Sequence, residues 1–221
     1  MGRMKYTRDE RASVISVFLK ATREIIDAQG VAAVSIRAVA NKTGYSSASL
    51  YLYFKDLDQL ISMASMSYLR AYCRELAQCR SAAPTARELY LDTWRLLCKY
   101  AFMYPNVFRH LFFTAHGSPL GETVAAYCRL LSDGPGESAG ELEELLSGGT
   151  MEERSAAILS PLVSGGTLSE QQARLIIGMT VGYFRLLLDE VLAGGGIDAD
   201  SMTRRQLRAM DFLLDAAIKK K

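Results

Sequence analysis

The sequence predicts an all-α protein, with a three-helix head at the N-terminus joined to a larger helical body. Two observations carry this expectation. Apolar residues recur at three- and four-residue spacings along most of the chain, the period of a helix with one buried face, and the alternating pattern of a strand is nearly absent. Capping signals and glycine or proline stops then divide that periodicity into helix-sized pieces. Hydrophobic residues make up 49% of the 221 residues, enough to bury a substantial core and to exclude a disordered chain for most of the length.

Thr7-x-x-Glu10 announces the first helix, because each side chain of such a capping box satisfies a free backbone N–H. Val14, Phe18, Ala21 and Ile25 follow on one face with Val17 beside them, and Gly30 ends the helix. Two short helices are expected over about Ile36–Lys42 and Ser46–Phe54, parted by Thr43-Gly44-Tyr45. Asp56-x-x-Gln59 caps a longer helix reaching about Arg80. After a turn around Pro84, helices are expected at Ala86–Tyr104, Asn106–Ala115 and Leu120–Leu131, with Pro105 forcing the first join. Ser132–Gly140 is rich in Gly, Pro and Ser and reads as a loop. From Glu141 to Gly166 the pattern is weak, with up to two short helices broken at Gly148-Gly149 and Pro161. Two stronger helices close the chain, about Ser169–Ala193 and Thr203–Lys219, split by Gly194-Gly195-Gly196. The total is nine or ten helices. A seam near Lys55 suggests two units, 1–55 and 56–221.

The net charge of +2 is uninformative, but its distribution is not. Residues 1–55 hold nine Lys and Arg against four Asp and Glu, a balance of +5; the remaining 17 basic and 20 acidic residues give −3. A basic head on a mildly acidic body points to a polyanion as the head's partner, with clustering on solvated helix faces as the alternative. Cys73, Cys79, Cys98 and Cys128 form no CxxC pair, and no His spacing suits zinc. Met1–Arg11 is polar and unlike a signal peptide, and the longest apolar stretch, Leu175–Phe184, is too short to span a bilayer. The expectation is a soluble, reduced, cytoplasmic protein with no membrane contact, metal or cofactor. With two histidines, no HExxH, no phosphate loop and no recognisable triad order, no catalytic residue is expected either.

Ser35–Phe54 is the informative segment. In a helix-turn-helix the two helices cross steeply, so the crossing needs a small residue, which Ala40 supplies, and the turn needs positive φ, which Gly44 supplies. Ile36, Val39, Leu50 and Phe54 offer the apolar contacts that lock the pair to the first helix, and Ser35 is a good N-cap. Ser46, Ser47, Ala48 and Ser49 are left facing outward, small enough for close approach to base edges. Tyr45, Tyr51 and Tyr53 carry hydroxyls suited to phosphate oxygens, and Arg37 and Lys42 add positive charge.

This stretch resembles the tetracycline-repressor (TetR) family. Ser35, Val39, Ala40, Gly44, Tyr45 and Ser46, then Leu50, Tyr51, Tyr53, Phe54, Lys55 and Asp56, fall in order on that family's pattern. The resemblance is specific over about Thr7–Leu60 and rests elsewhere on helix number, length and order. It implies that Arg37, Ser46, Ser47 and Ser49 face bases or adjoining phosphates, and that Ser35, Tyr45, Tyr51 and Tyr53 hold the phosphate backbone. Two departures stand out. Leu57 occupies a place where many members carry a phosphate-binding lysine, which shifts the grip to Lys55 and to backbone N–H groups at the helix start. Tyr53 replaces a commoner histidine. For Tyr51 and Tyr53, packing between helices is the competing reading.

The resemblance further implies a regulator, commonly a repressor released from a near-palindromic double-stranded DNA operator by a small effector, acting as a homodimer. A helical ligand-binding protein without DNA binding is the alternative, for which Leu57 is the only hint; an enzyme is the remoter one. In the body, an aromatic and Met-containing zone from Leu89 to Tyr127 could line a pocket for an apolar or aromatic effector, or could simply be core. The preferred lining is Trp94, Phe108, Phe112, Tyr127 and Tyr183, with Arg109, His110 and His116 as polar selectors. The last two helices read as the dimer surface through Gly178-x-x-x-Gly182 and Leu175, Met179, Leu186, Val191, Met210, Leu214 and Ala217, although intrachain packing must take part of that area.

Overall fold

In the computed structural model, residues 7–114, 120–131, 149–194 and 198–218 are described. The readings at Arg3, Lys5, His116, 132–148 and Gly195-Gly196 lie outside them. The described residues form ten α-helices, a short 3-10 turn at Val31–Ala33 and a π-helical turn at His110–Thr114. The chain is all-α, as its periodicity predicts.

Helix α1 (Arg8–Gln29) opens on the expected capping box: Glu10 N donates to the Thr7 hydroxyl at 3.3 Å, and Thr7 N donates to the Glu10 carboxylate at 2.7 Å. It closes at Gly30, whose φ of 83° lies in the region glycine favours. Ile15, Phe18, Ala21 and Ile25 are buried, while Val17 stays exposed and Ile15 takes the place expected of it. Helices α2 (Ile36–Thr43) and α3 (Ser47–Leu50) follow.

The α3 helix ends four residues earlier than its pattern predicts, and hydrogen bonding explains why. The Leu50 carbonyl accepts from both Tyr53 N and Phe54 N, and the Leu52 carbonyl accepts from the Arg11 guanidinium at 3.2 Å. Overlapping turns thus replace the regular ladder while Phe54 is drawn into the core.

Helix α4 (Leu57–Ala82) is capped by Asp56, which accepts from Gln59 N at 2.8 Å. It packs on α1 at one end and on α5 (Ala86–Met103) and α7 (Leu120–Leu131) along its length. Pro105 stands at the first position of α6 (Pro105–Arg109), where its missing N–H costs nothing. The core runs without a break from Phe18 through Leu60, Met66 and Leu69 of α4 to Phe184 and Leu214 near the C-terminus.

Helix α8 (Met151–Ser164) contradicts the expectation that Pro161 breaks this region. The proline leaves the Ala157 carbonyl without its usual N–H donor, and the Ser160 hydroxyl donates to that carbonyl at 2.8 Å instead. Helix α9 (Glu170–Leu192) matches its prediction. Helix α10 (Ala199–Ile218) begins four residues before the expected Thr203, because Asp198 accepts from Ser201 N at 3.0 Å and buried Met202 is anchored in the core. Thr203 instead donates to the Ala199 carbonyl inside the helix.

Candidate functional site

The candidate nucleic-acid interface grows from the α2–α3 pair. Ser35 caps α2 by accepting from Ala38 N at 3.1 Å. Gly44 turns the chain at φ 75° and ψ 4° with its N–H on the Ala40 carbonyl, and nothing lies within 4 Å of where a Cβ would stand. The turn therefore needs glycine for its conformation and not for space. Ala40, Val39, Leu50 and Phe54 are buried, and the Phe54 ring meets Phe18 edge-on at 6.1 Å. One side of the pair is thereby locked to α1 and the other is left outward.

On that outward side Ser46, Ser47 and Ala48 are exposed and Ser49 is half-buried. Ser46 caps α3, accepting from Ser49 N at 3.2 Å, and the Ser46 and Ser49 hydroxyls lie 2.8 Å apart. Arg37 and Lys55 extend from exposed positions beside them. Lys42 forms an ion pair with Glu24 at 2.9 Å, and that hydrogen bond and charge hold the Glu24 carboxyl below its ordinary range.

The three tyrosines differ. Tyr51 is 60% exposed and Tyr45 39%, the latter with its ring 5.0 Å edge-on to Phe18. Tyr53 is half-buried, 5.8 Å from Phe18 and under the Arg11 guanidinium at 5.3 Å, so packing occupies its ring. No local pattern in the sequence marks Arg11 or the 63%-exposed Leu52. An arginine 41 residues upstream carries no local sign of the carbonyl it reaches. Leu57 is half-buried against the core, and Lys55 N donates to the Gln59 side chain at 2.7 Å, so these helix-start groups are used within the chain.

Contacts tie this unit to the body. The Tyr68 hydroxyl of α4 donates to Asp27 of α1 at 2.6 Å, and its ring lies 5.1 Å from Tyr104. Further along, buried Ser62 of α4 is 3.2 Å from His110 Nε2 in the π-helical turn. Arg109 pairs with Asp189 of α9. Neither Arg109 nor His110 lines the cavity described next.

A cavity of about 350 Å³ lies in the body. Its walls include Tyr72 and Leu76 of α4, Thr93, Trp94 and Leu97 of α5, Phe112 of the π-helical turn, and Met151, Arg154, Ser155 and Ile158 of α8. Of the five residues selected from sequence, Trp94 and Phe112 line it. Phe108 lies behind, stacked on Phe112 at 5.7 Å and edge-on to Tyr72 at 6.3 Å. Tyr127 accepts from Arg70 at 2.9 Å, Tyr183 is half-buried on α9, and neither is among the lining residues. The α8 contributions are not legible in the sequence, because Pro161 is a helix-breaking signal inside the helix that presents them.

Leu175, Met179 and Leu186 of α9 form an exposed row with Gly178 and Gly182, and Phe212 of α10 is 72% exposed. Met210 and Leu214, expected on this surface, are fully buried in the chain's own core, while Val191 and Ala217 are half-buried. The two faces of α10 carry similar apolar residues, and only packing sorts them.

Residues 18–63 match the family model described as "Bacterial regulatory proteins, tetR family". None of the curated proteins matches the chain. Among solved structures, a protein described as a TetR-family transcriptional regulator from Syntrophomonas wolfei is similar at 13% identity and a TM-score of 0.61, covering 94% of this chain and 96% of that one. The transcriptional regulator FadR from Bacillus subtilis, solved with stearoyl-CoA, is similar at 15% identity and a TM-score of 0.56, covering 88% and 96%. RolR, solved with resorcinol, is similar at 15% identity and a TM-score of 0.56, covering 94% and 96%. Residues 18–63 thus match the model of the bacterial regulatory proteins of the tetR family, and the chain as a whole shares the fold of these solved structures.

Proposed function

We propose that this chain is a DNA-binding transcriptional regulator that acts as a homodimer and is released from a near-palindromic operator by a small effector. The reading divides the work between 1–55, which meets DNA, and 56–221, which binds the effector and the second copy. One observation carries it: the outward side of α2–α3, where exposed Ser46, Ser47 and Ala48 are flanked by exposed Arg37, Tyr51 and Lys55. Small side chains admit close approach to base edges, and the flanking charge and hydroxyls suit phosphate oxygens. Arg37, Ser47 and Ser49 are assigned to sequence reading. Ser35, Tyr45, Tyr51 and Lys55 are assigned to the backbone, with Ser46, Lys42 and Tyr53 supporting them.

The exposed row on α9 with Phe212 supports pairing of two copies, which would set two recognition helices into successive major grooves. The body cavity supports an effector, and the relatives solved with stearoyl-CoA and resorcinol show that small molecules bind proteins of this fold. Effector binding would move α4, which lines the cavity through Tyr72 and carries the Tyr68–Asp27 contact to α1, and so change the spacing of the two heads.

Selection from random duplexes tests the proposal directly. A palindrome should be enriched, and its affinity should fall steeply as salt rises. Tyr51→Phe should weaken binding about two- to tenfold on all sequences alike, the worth of one hydrogen bond, whereas Arg37→Ala should alter sequence preference. No enriched palindrome would overturn the regulator reading.

A further inference from the structure

Leu52 is the most exposed large apolar residue among those described in the head, at 63%, and its side chain takes no part in the core. Its backbone, by contrast, is held on both sides. Leu52 N donates to the Ser49 carbonyl at 3.2 Å, and the Leu52 carbonyl accepts from the Arg11 guanidinium at 3.2 Å. Tyr51 keeps helical angles, φ −68° and ψ −10°, so the chain runs on in a helical sense past the end of α3. Leu52 therefore stands one turn beyond exposed Ala48 on the same side, and the two form an apolar stripe along the outward face. Exposed Arg37, Tyr51 and Lys55 flank that face, so its surroundings suit a polyanion while the stripe itself suits an apolar group. The neighbouring Ser47 and Ser49 hydroxyls can each donate or accept, and so discriminate poorly between base edges. In the major groove the apolar group that a base edge presents is the thymine 5-methyl.

We propose that Leu52 is a specificity-determining residue that packs on the 5-methyl group of a thymine in each half-site of the operator, with Ala48 alongside. The proposal rests on the reading of α2–α3 as the DNA-facing unit and adds a base preference to it. Leucine offers a base edge no hydrogen bond. It selects thymine through the methyl and disfavours bases whose polar edge it would strip of water. Because Ser49 and Arg11 hold its backbone, the side chain is presented without ordering the turn at the moment of binding.

The test uses the full chain and the operator obtained by selection from random duplexes. Each thymine of one half-site is replaced in turn by deoxyuridine, which removes the methyl group and nothing else. At one position the replacement should weaken binding by the unaltered chain about fourfold, as the loss of one buried methyl group implies. Leu52→Ala should erase that penalty, whereas Tyr51→Phe, which acts on the phosphate backbone, should keep it. A fresh selection with Leu52→Asn should lose the thymine at that position and retain the rest of the palindrome. Leu52 is exposed, so both of its variants should unfold at the temperature of the unaltered chain, which thermal denaturation checks. A half-site without thymine, methyl groups that contribute nothing at any position, or a penalty unchanged in Leu52→Ala would overturn the proposal while leaving the regulator reading in place. No enriched palindrome would overturn both.

Discussion

Gly44 shows how one backbone angle organises the α2–α3 pair. At φ 75° with open space where a Cβ would stand, it is required by conformation alone. Gly44→Ala should therefore cost about 1–2 kcal/mol of stability from the left-handed strain of an L-residue, read as a lower midpoint in urea denaturation. Elsewhere, Glu75 of α4 accepts from Lys99 at 2.8 Å and from the Tyr100 hydroxyl at 2.6 Å, both on α5. The Lys99 hydrogen bond first, and the Tyr100 bond second, hold the Glu75 carboxyl below its ordinary range. Burial, helped by the bond to Glu75, pushes the Tyr100 hydroxyl up to about 12. A lowered carboxyl contributes stability above its unfolded pKa and loses it as pH falls through the folded one. A raised phenol contributes below its unfolded pKa and loses it as pH rises through the folded one. Glu75→Gln should accordingly flatten the acid limb of a stability–pH curve and move the alkaline fall to lower pH, both measurable from denaturation midpoints.

Among the elements, α3 depends on a partner outside itself. Its carbonyl at Leu52 is served by Arg11, whose guanidinium also covers Tyr53, so α1 finishes a turn that its own ladder leaves open. Arg11→Ala should destabilise the protein by about 1 kcal/mol and speed hydrogen exchange at 51–54 more than at 36–43. Ser46–Phe54 has helical spacing throughout, which predicts a full helix there. The competing bonds come from the double use of the Leu50 carbonyl and from a residue far away in sequence, neither of which spacing reveals. Pro161 misleads in the opposite sense: a helix breaker by rule, it is accommodated because its neighbour Ser160 donates in its place. The legible boundaries, at Thr7, Gly30, Ser35, Asp56 and Ser169, are those whose caps lie within four residues of what they cap.

At the scale of the whole molecule, the exposed row on α9 and Phe212 on α10 are large apolar groups left in water. Under the proposed pairing, each substitution enters a two-fold interface twice, so Leu186→Glu should raise the dimer dissociation constant by more than about tenfold. Sedimentation would read the change, and affinity for a two-half-site duplex should fall with it. Leu214→Glu should behave differently, unfolding the chain because Leu214 is fully buried within it.

Periodicity, local caps and the Ser35–Phe54 pattern by themselves determined the all-α class, the order of the helices and the α2–α3 unit, because each depends on residues within a few positions of one another. Tertiary structure alone decided which apolar face of α10 is core and which is surface, that Tyr53 packs while Tyr51 stands clear, and that α8 brings Arg154 and Ser155 to the cavity with Trp94 and Phe112. Those outcomes depend on groups brought together from distant parts of the chain, where burial and competing hydrogen bonds choose between alternatives that spacing leaves equal.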